Sequence, residues 1–294
     1  MPMLTRATLA DELRRLGVPE RGLLLVHSSF RALGPVDGGP EAVVGALLDA
    51  MGPAGTVMAP TFTTNLIDPY TWPVPPEERE RARILADIPY FDPTTSRPHK
   101  MGIIAEALWR TPGTLRSAHP VTSWAARGTL AEALLKDQPL DDPEGRDGPV
   151  GRAWQRDAWV LLLGVEHDAD TTVHLAESLL EMPHLEILPD RYPSRDARGA
   201  RVWLPVRKTT KCSDGFLGLG PHLDTAGVVR RGPTGACQSQ LVRSRDVVRV
   251  AANLLRRQPT ALLCADPDCV HCPASRRVLA AWRAPTGTPE APPA

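Results

Sequence analysis

The sequence of 294 residues predicts an α/β fold in which helices flank a central, mostly parallel sheet. Residues 23–60 contain an apolar strand, a helix and a second strand in succession, and such a strand-helix-strand unit joins parallel strands. A further apolar run, 158–165, is again followed by a helical segment. Residues 185–211 alternate in polarity as a hairpin does, which predicts a smaller, β-rich C-terminal subdomain that would help to bind the substrate.

Apolar spacing and helix-ending residues place the elements of the N-terminal part. Leu9, Leu13 and Leu16 fall on one side of an amphipathic helix. The Gly-Pro-Ala-Gly sequence at 52–55 ends the next helix. The predicted order is therefore helix 5–16, strand 23–26, helix 41–51 and strand 56–60.

The rest of the chain is less regular. Residues 64–100 are rich in proline, and so long an irregular segment is either a lid or wall of a substrate site or a plain structural insertion. The expected organisation is one domain over 1–284, with the C-terminal subdomain over 185–284 and a disordered tail over 285–294. The remaining predicted elements are helices at 101–109, 130–136, 151–157 and 240–257 and a hairpin turn at 196–199.

Charge and composition argue against several classes of partner. The 34 basic and 34 acidic residues balance, so the net charge favours neither nucleic acid nor a membrane surface as a partner. No stretch approaches the roughly 18 apolar residues of a transmembrane helix. The N-terminus has no hydrophobic signal core, and the predicted location is cytoplasmic.

The pair His174 and Glu177 is the most informative local feature. The two residues are three positions apart, so a helix places them on one face, just after the buried strand 158–165. An imidazole beside a carboxylate at the carboxyl end of a strand is suited to general-base catalysis. The alternative is a surface helix that carries an ordinary histidine and glutamate. By default, four other histidines are expected to be structural or at the surface, namely His99, His167, His184 and His222.

Several short motifs occur in one order along most of the chain. They are the segments 23–31, 38–39, 52–61, 116–123, 161–165 and 171–177. Together they resemble the aminoglycoside 3-N-acetyltransferase family, over roughly residues 5–285, and above all its apramycin- and gentamicin-acetylating branch. The resemblance implies an antibiotic acetyltransferase-like fold, unrelated to that of the GNAT enzymes, and acetyl-CoA as the co-substrate.

The resemblance also implies roles for individual residues. His174 and Glu177 would form the catalytic centre, because an amine acceptor must lose a proton before it attacks a thioester. Hydroxyl and backbone N–H groups that follow the first strand can meet phosphates or a pantetheine chain. The predicted coenzyme A contacts are His27, Ser28, Ser29, Phe30 and Arg31 from the first motif, and Ser117, His119 and Ser123 from the fourth.

The spacing of the cysteines suits a structural zinc ion. Three thiols lie within nine residues, and Cys269 and Cys272 form a Cys-x-x-Cys knuckle that suits tetrahedral zinc. Cys264 and the distant Cys212 would complete the site, with His271 as the substitute if Cys212 lies too far away. The alternatives are free cysteines and a disulfide, although a cytoplasmic chain keeps its thiols reduced.

The acceptor is predicted to be a 2-deoxystreptamine aminoglycoside, acetylated at its 3-amino group. Candidate substrate-binding residues are Asp68, Tyr70, Glu177 and Asp214. The segment 206–212, where related enzymes carry acidic residues, is basic here, which leaves open a different amine acceptor in natural-product biosynthesis or self-resistance. A second alternative is a zinc-stabilised binding protein without catalysis. The expected oligomeric state is a monomer or a homodimer.

Overall fold

The computed structural model describes residues 3–72, 74–209 and 211–283, so the predicted tail 285–294 lies outside the described residues. Within these ranges the strands are β1 (Gly22–Ser28), β2 (Gly55–Pro60), β3 (Leu115–Arg116), β4 (Trp124–Gly128), β5 (Trp159–Leu163), β6 (Asp190–Arg195), β7 (Arg201–Val206), β8 (Arg230–Thr234) and β9 (Cys237–Arg243). The helices are α1 (Arg6–Leu16), α2 (Gly39–Met51), α3 (Glu78–Asp87), α4 (Ile103–Arg110), α5 (Ala131–Leu135), α6 (Pro149–Gln155), α7 (Thr172–Leu179), α8 (Gly220–Thr225), α9 (Ser244–Arg257) and α10 (Cys272–Leu279).

Seven strands form the central sheet in the order β3-β4-β2-β1-β5-β9-β8. β1 pairs in parallel with β2 on one side and with β5 on the other. The outer pairs are antiparallel, so only β4 and β9 run against the other five strands. The predicted α/β class with a mostly parallel sheet is confirmed, and the parallel part is its centre.

Helices cover both faces of the sheet, and β1 shows why. Leu23 and Leu25 point into a core shared with α5, α6, α7 and α9. Leu24 and Val26 point into a second core shared with α1, α2 and α4. A strand that is buried on both faces has to be apolar at every position, which explains the continuous leucine run. The sheet is therefore the middle layer of three.

The C-terminal part joins the main sheet more closely than expected. The predicted hairpin is present as β6 and β7, which form a separate two-stranded sheet with a turn closed by the Gly199 N–H and the Asp196 carbonyl. In contrast, β8 and β9 extend the central sheet, and α9 packs against α7. Within the described part of the predicted subdomain 185–284, only the β6–β7 hairpin is separate from the central sheet, because β8 and β9 belong to that sheet.

Two predictions about secondary structure are wrong. The helix expected at 240–257 begins at Ser244, because residues 237–243 pair with β5 as β9. The segment 64–100 is not irregular throughout, since it contains α3. α3 buries none of its residues, so apolar periodicity could not reveal it. Among the described residues, none of the helices has the length and apolar character needed to cross a membrane.

Candidate active site

A cleft of about 680 Å³ lies at the carboxyl ends of the central parallel strands. Its floor includes His27 and Ser28 at the end of β1, Pro60 at the end of β2, and Val165 just after β5. The chain leaves β1 for β2 on one side and returns as β5 on the other. In open α/β sheets, ligands bind at such a switch point because the loops diverge there and leave a crevice.

His174 reaches this cleft from the first turns of α7. The helix begins at Thr172, whose backbone N–H donates to the Asp170 carboxylate over 3.0 Å. His174 lines the cleft although its ring is largely buried. Its Nδ1 lies 2.6 Å from Oε2 of Glu177, as the sequence spacing predicted. Because Nδ1 is occupied, Nε2 is the ring nitrogen left for a molecule in the cleft.

Glu177 is held by two histidines. Oε2 contacts His174, and Oε1 lies 3.1 Å from Nε2 of His184. Burial alone would raise the pKa of the Glu177 carboxyl, but the two imidazoles outweigh it and hold the pKa at about 2. Glu177 is therefore an ionised carboxylate that orients His174. Both of its oxygens already accept a hydrogen bond from a histidine, and its predicted attraction of the substrate stays a prediction.

The turn at the end of β1 lines the same cleft. Its five residues are the predicted coenzyme A contacts His27, Ser28, Ser29, Phe30 and Arg31. The Ser29 N–H donates to the Leu163 carbonyl over 2.9 Å, which ties the turn to β5. Burial lowers the pKa of His27 to about 4, against the opposing charge of Asp170, so the His27 ring is neutral at pH 7. The structure thus places the turn beside His174.

The cleft is lined by three cationic side chains and by one carboxylate. They are Arg31, Lys100 and Lys211, and the carboxylate is Asp168. Lys211 donates through Nζ to the Leu188 carbonyl over 3.0 Å, and burial lowers its pKa. The excess of positive charge favours a polyanionic ligand in this cleft. Lys100, Lys211 and Asp168 come from separate loops without a shared motif, so local sequence gives no signal that they meet in one cleft.

The aminoglycoside 3-N-acetyltransferase family model matches residues 25–256. The chain belongs to this family. It is 37% identical to aminoglycoside N(3)-acetyltransferase VII of Streptomyces paromomycinus, over 83% of this chain and 89% of that protein. It is 34% identical to aminoglycoside N(3)-acetyltransferase IV of a Salmonella species, over 88% of this chain and 90% of that protein, which is consistent with the predicted branch.

Solved structures agree. The crystal structure of apo AAC(3)-IVa superposes with a TM-score of 0.79 at 34% identity, covering 95% of this chain and 98% of that chain. The crystal structure of YokD from Bacillus subtilis gives a TM-score of 0.81 at 28% identity, covering 88% of this chain and 96% of that chain. The predicted family and its antibiotic acetyltransferase-like fold are confirmed.

In this acetyltransferase the second predicted group of coenzyme A contacts lies outside the cleft. Ser117, His119 and Ser123 are all buried. The Ser117 hydroxyl accepts from the Trp124 N–H over 2.9 Å, and the Ser123 hydroxyl donates to the Thr61 carbonyl over 2.8 Å. Nδ1 of His119 accepts from the Thr122 N–H over 2.9 Å. These polar groups bond within the protein and hold the loop that leads into β4, and their role in binding coenzyme A stays a prediction.

Two of the predicted substrate-binding residues are engaged elsewhere. Asp68 is 1% exposed and forms a two-point ion pair with Arg81, at 3.0 and 2.7 Å. The Tyr70 hydroxyl donates to the Pro189 carbonyl and so ties the 64–100 segment to the start of the β6–β7 hairpin. Asp68 is therefore already paired with a cation, and its contact with an amine substrate stays a prediction. Asp214 is exposed and follows Ser213, which lines the cleft.

Four cysteines meet beside the C-terminal helix. The sulfurs of Cys212, Cys264, Cys269 and Cys272, here called the cysteine cluster, all lie within 4.8 Å of one another. All four are free thiols. Burial raises the pKa of Cys264 to about 11. The structure thus brings together the predicted set and includes the distant Cys212, so His271 is not required as a fourth ligand.

Proposed function

We propose that this enzyme transfers the acetyl group of acetyl-CoA to the 3-amino group of a 2-deoxystreptamine aminoglycoside and thereby confers resistance to the antibiotic. One observation carries the proposal: His174, backed by the buried Glu177, faces the same cleft as the turn 27–31. Solved relatives support the choice of ligands. AAC(3)-IVa variants were solved with a gentamicin and with apramycin, and AAC-IIIb was solved with CoASH.

His174 would act as the general base. The acceptor amine attacks the thioester carbonyl carbon, and Nε2 of His174 takes the proton that the amine loses. The new C–N bond replaces the C–S bond, and the His174 imidazolium returns its proton to the departing sulfur, so that coenzyme A leaves as the thiol. Glu177 accepts from Nδ1–H, which keeps the lone pair on Nε2 and stabilises the imidazolium that forms. Ser28 and Ser29 line the same cleft, and their hydroxyls are suited to donate to polar groups of acetyl-CoA.

The charges in the cleft support a phosphate-bearing donor. Arg31 and Lys100 are exposed at the cleft, where they would meet the phosphates of coenzyme A. Asp168 and Asp214 are exposed carboxylates at or beside the cleft and would meet the ammonium groups of the acceptor. We also propose that the enzyme acts in the cytoplasm. Its predicted oligomeric state is a monomer or a homodimer.

The cysteine cluster fits a structural zinc ion. Four thiolates bound at about 2.3 Å in a tetrahedron lie roughly 3.8 Å apart, which is compatible with the separations of up to 4.8 Å. Four protein sulfurs leave no open coordination position, so the ion would stabilise the fold and take no part in the transfer. It would connect Cys212, which follows the β6–β7 hairpin, to the segment that leads into α10.

A different amine acceptor is the second candidate, favoured by two observations. Lys211 from the basic segment lines the cleft, and Arg81 already neutralises Asp68. Turnover of acetyl-CoA, followed by thiol release, should be measured across aminoglycosides and across unrelated amines. Preferred acetylation of aminoglycosides at the 3-amino group is expected. Turnover only with other amines would favour the second candidate, and failure to bind coenzyme A would favour a non-catalytic binding protein.

A further inference from the structure

His184 and His174 contact different oxygens of the Glu177 carboxylate. His184 sits in the short turn Pro183–Glu186, which follows α7, and its ring is buried. Nε2 lies 3.1 Å from Oε1 of Glu177. Nδ1 of His184 is buried and has no hydrogen-bond partner among the described residues. The contact with Glu177 is therefore the polar interaction that the His184 ring makes.

This arrangement determines where the protons lie. A neutral His184 carries its proton on Nε2 and donates it to Oε1, since a carboxylate can only accept. A proton on Nδ1 would be a buried donor without an acceptor, which is costly. Glu177 thus receives one hydrogen bond on each oxygen, and the second of these comes from Nδ1–H of His174.

We infer that His184 is a positioning residue for the acetyl transfer: it holds the Glu177 carboxylate so that His174 keeps its proton on Nδ1 and its lone pair on Nε2. The inference rests on the proposed role of His174 as the base. Without the donor at Oε1, the buried carboxylate loses one of its two hydrogen bonds and can rotate or take up a proton. A protonated Glu177 would donate to Nδ1 of His174, and the proton of His174 would then sit on Nε2, where it blocks the reaction.

The surroundings of His184 show that its position is built into the fold. Leu185 beside it is buried, and α10 packs against the same turn. α10 begins at Cys272, a member of the cysteine cluster. The proposed zinc site would therefore support, through one helix, the turn that carries His184.

Two amide variants test the inference. In His184→Gln, the side-chain amide nitrogen can occupy the place of Nε2 and donate to Glu177. In His184→Asn, the shorter amide reaches only as far as Nδ1, so Glu177 loses the donor while the site stays polar. We expect His184→Asn to lower kcat on the order of 10- to 100-fold with KM for both substrates nearly unchanged, and His184→Gln to recover most of kcat.

A second readout follows the proton itself. In the wild-type protein, Nδ1–H of His174 should give a far-downfield proton NMR resonance, identified by its loss in His174→Ala. It should persist in His184→Gln and vanish or move in His184→Asn. Equal kcat values for the two amide variants, or an unchanged resonance in His184→Asn, would overturn the inference. If the wild-type enzyme acetylates no amine, the proposed function fails, and the resonance still decides the role of His184.

Discussion

Replacing His174 with alanine removes the group on which the proposed chemistry depends. His27, the other imidazole of the cleft, is a weaker base because burial lowers its pKa to about 4, and Glu177 lies behind the His174 imidazole. We expect kcat/KM to fall about 10²- to 10⁴-fold, which corresponds to roughly 2.7–5.5 kcal/mol in the activation barrier. Coenzyme A affinity should stay nearly intact, because the turn 27–31 is unchanged.

The structure also sets the expected effect on stability. The His174 ring packs against Phe216 with ring centroids 4.7 Å apart, and its loss leaves Glu177 with His184 alone. Together these losses should cost about 1–3 kcal/mol of the free energy of unfolding, so the variant should still fold. Thiol release during acetyl-CoA turnover gives the rate, calorimetry gives the affinity, and His222→Ala, exposed on α8, is the matched control. Near wild-type turnover by a folded His174→Ala protein would remove His174 from the mechanism.

Three further predictions concern the donor site, the metal and pH. The double variant Ser28→Ala/Ser29→Ala should bind coenzyme A several-fold more weakly by calorimetry, whereas unchanged affinity would make the turn purely structural. Protein purified without added metal should contain about one equivalent of zinc, and chelation should lower its melting temperature. A zinc content below about a tenth of an equivalent, together with four titratable thiols in the native cysteine cluster, would contradict the zinc site. Burial raises the pKa of Glu144 from 4.5 to about 8. Between these two pH values the folded state therefore holds a proton that the unfolded state has lost. The stability that Glu144 contributes falls as the pH rises through this range. Glu144→Gln should therefore weaken the fall in unfolding free energy between pH 5 and pH 8 by about 1–3 kcal/mol, as measured by denaturant titration, and an unchanged pH dependence would contradict this.

Features that depend on local pattern follow from the amino-acid sequence alone. The leucine run of β1 had to lie in a sheet covered on both faces, and the linking helix made β1 and β2 parallel. The spacing of His174 and Glu177 determined their contact, since a helix places residues three apart on one face. The ordered motifs determined the family.

Which partner each polar group has depends instead on how the folded chain packs. Asp68 looked available in the sequence, but the fold pairs it with Arg81 from α3, a helix that buries none of its residues. The Ser117 hydroxyl accepts from the backbone N–H of Trp124, seven residues further along the chain. His184 looked ordinary but turns back onto Glu177. A buried polar group must form a hydrogen bond with a group that the folded chain brings within reach, because an unpaired buried group is costly. Long-range packing determines which group that is, and the local sequence does not encode it.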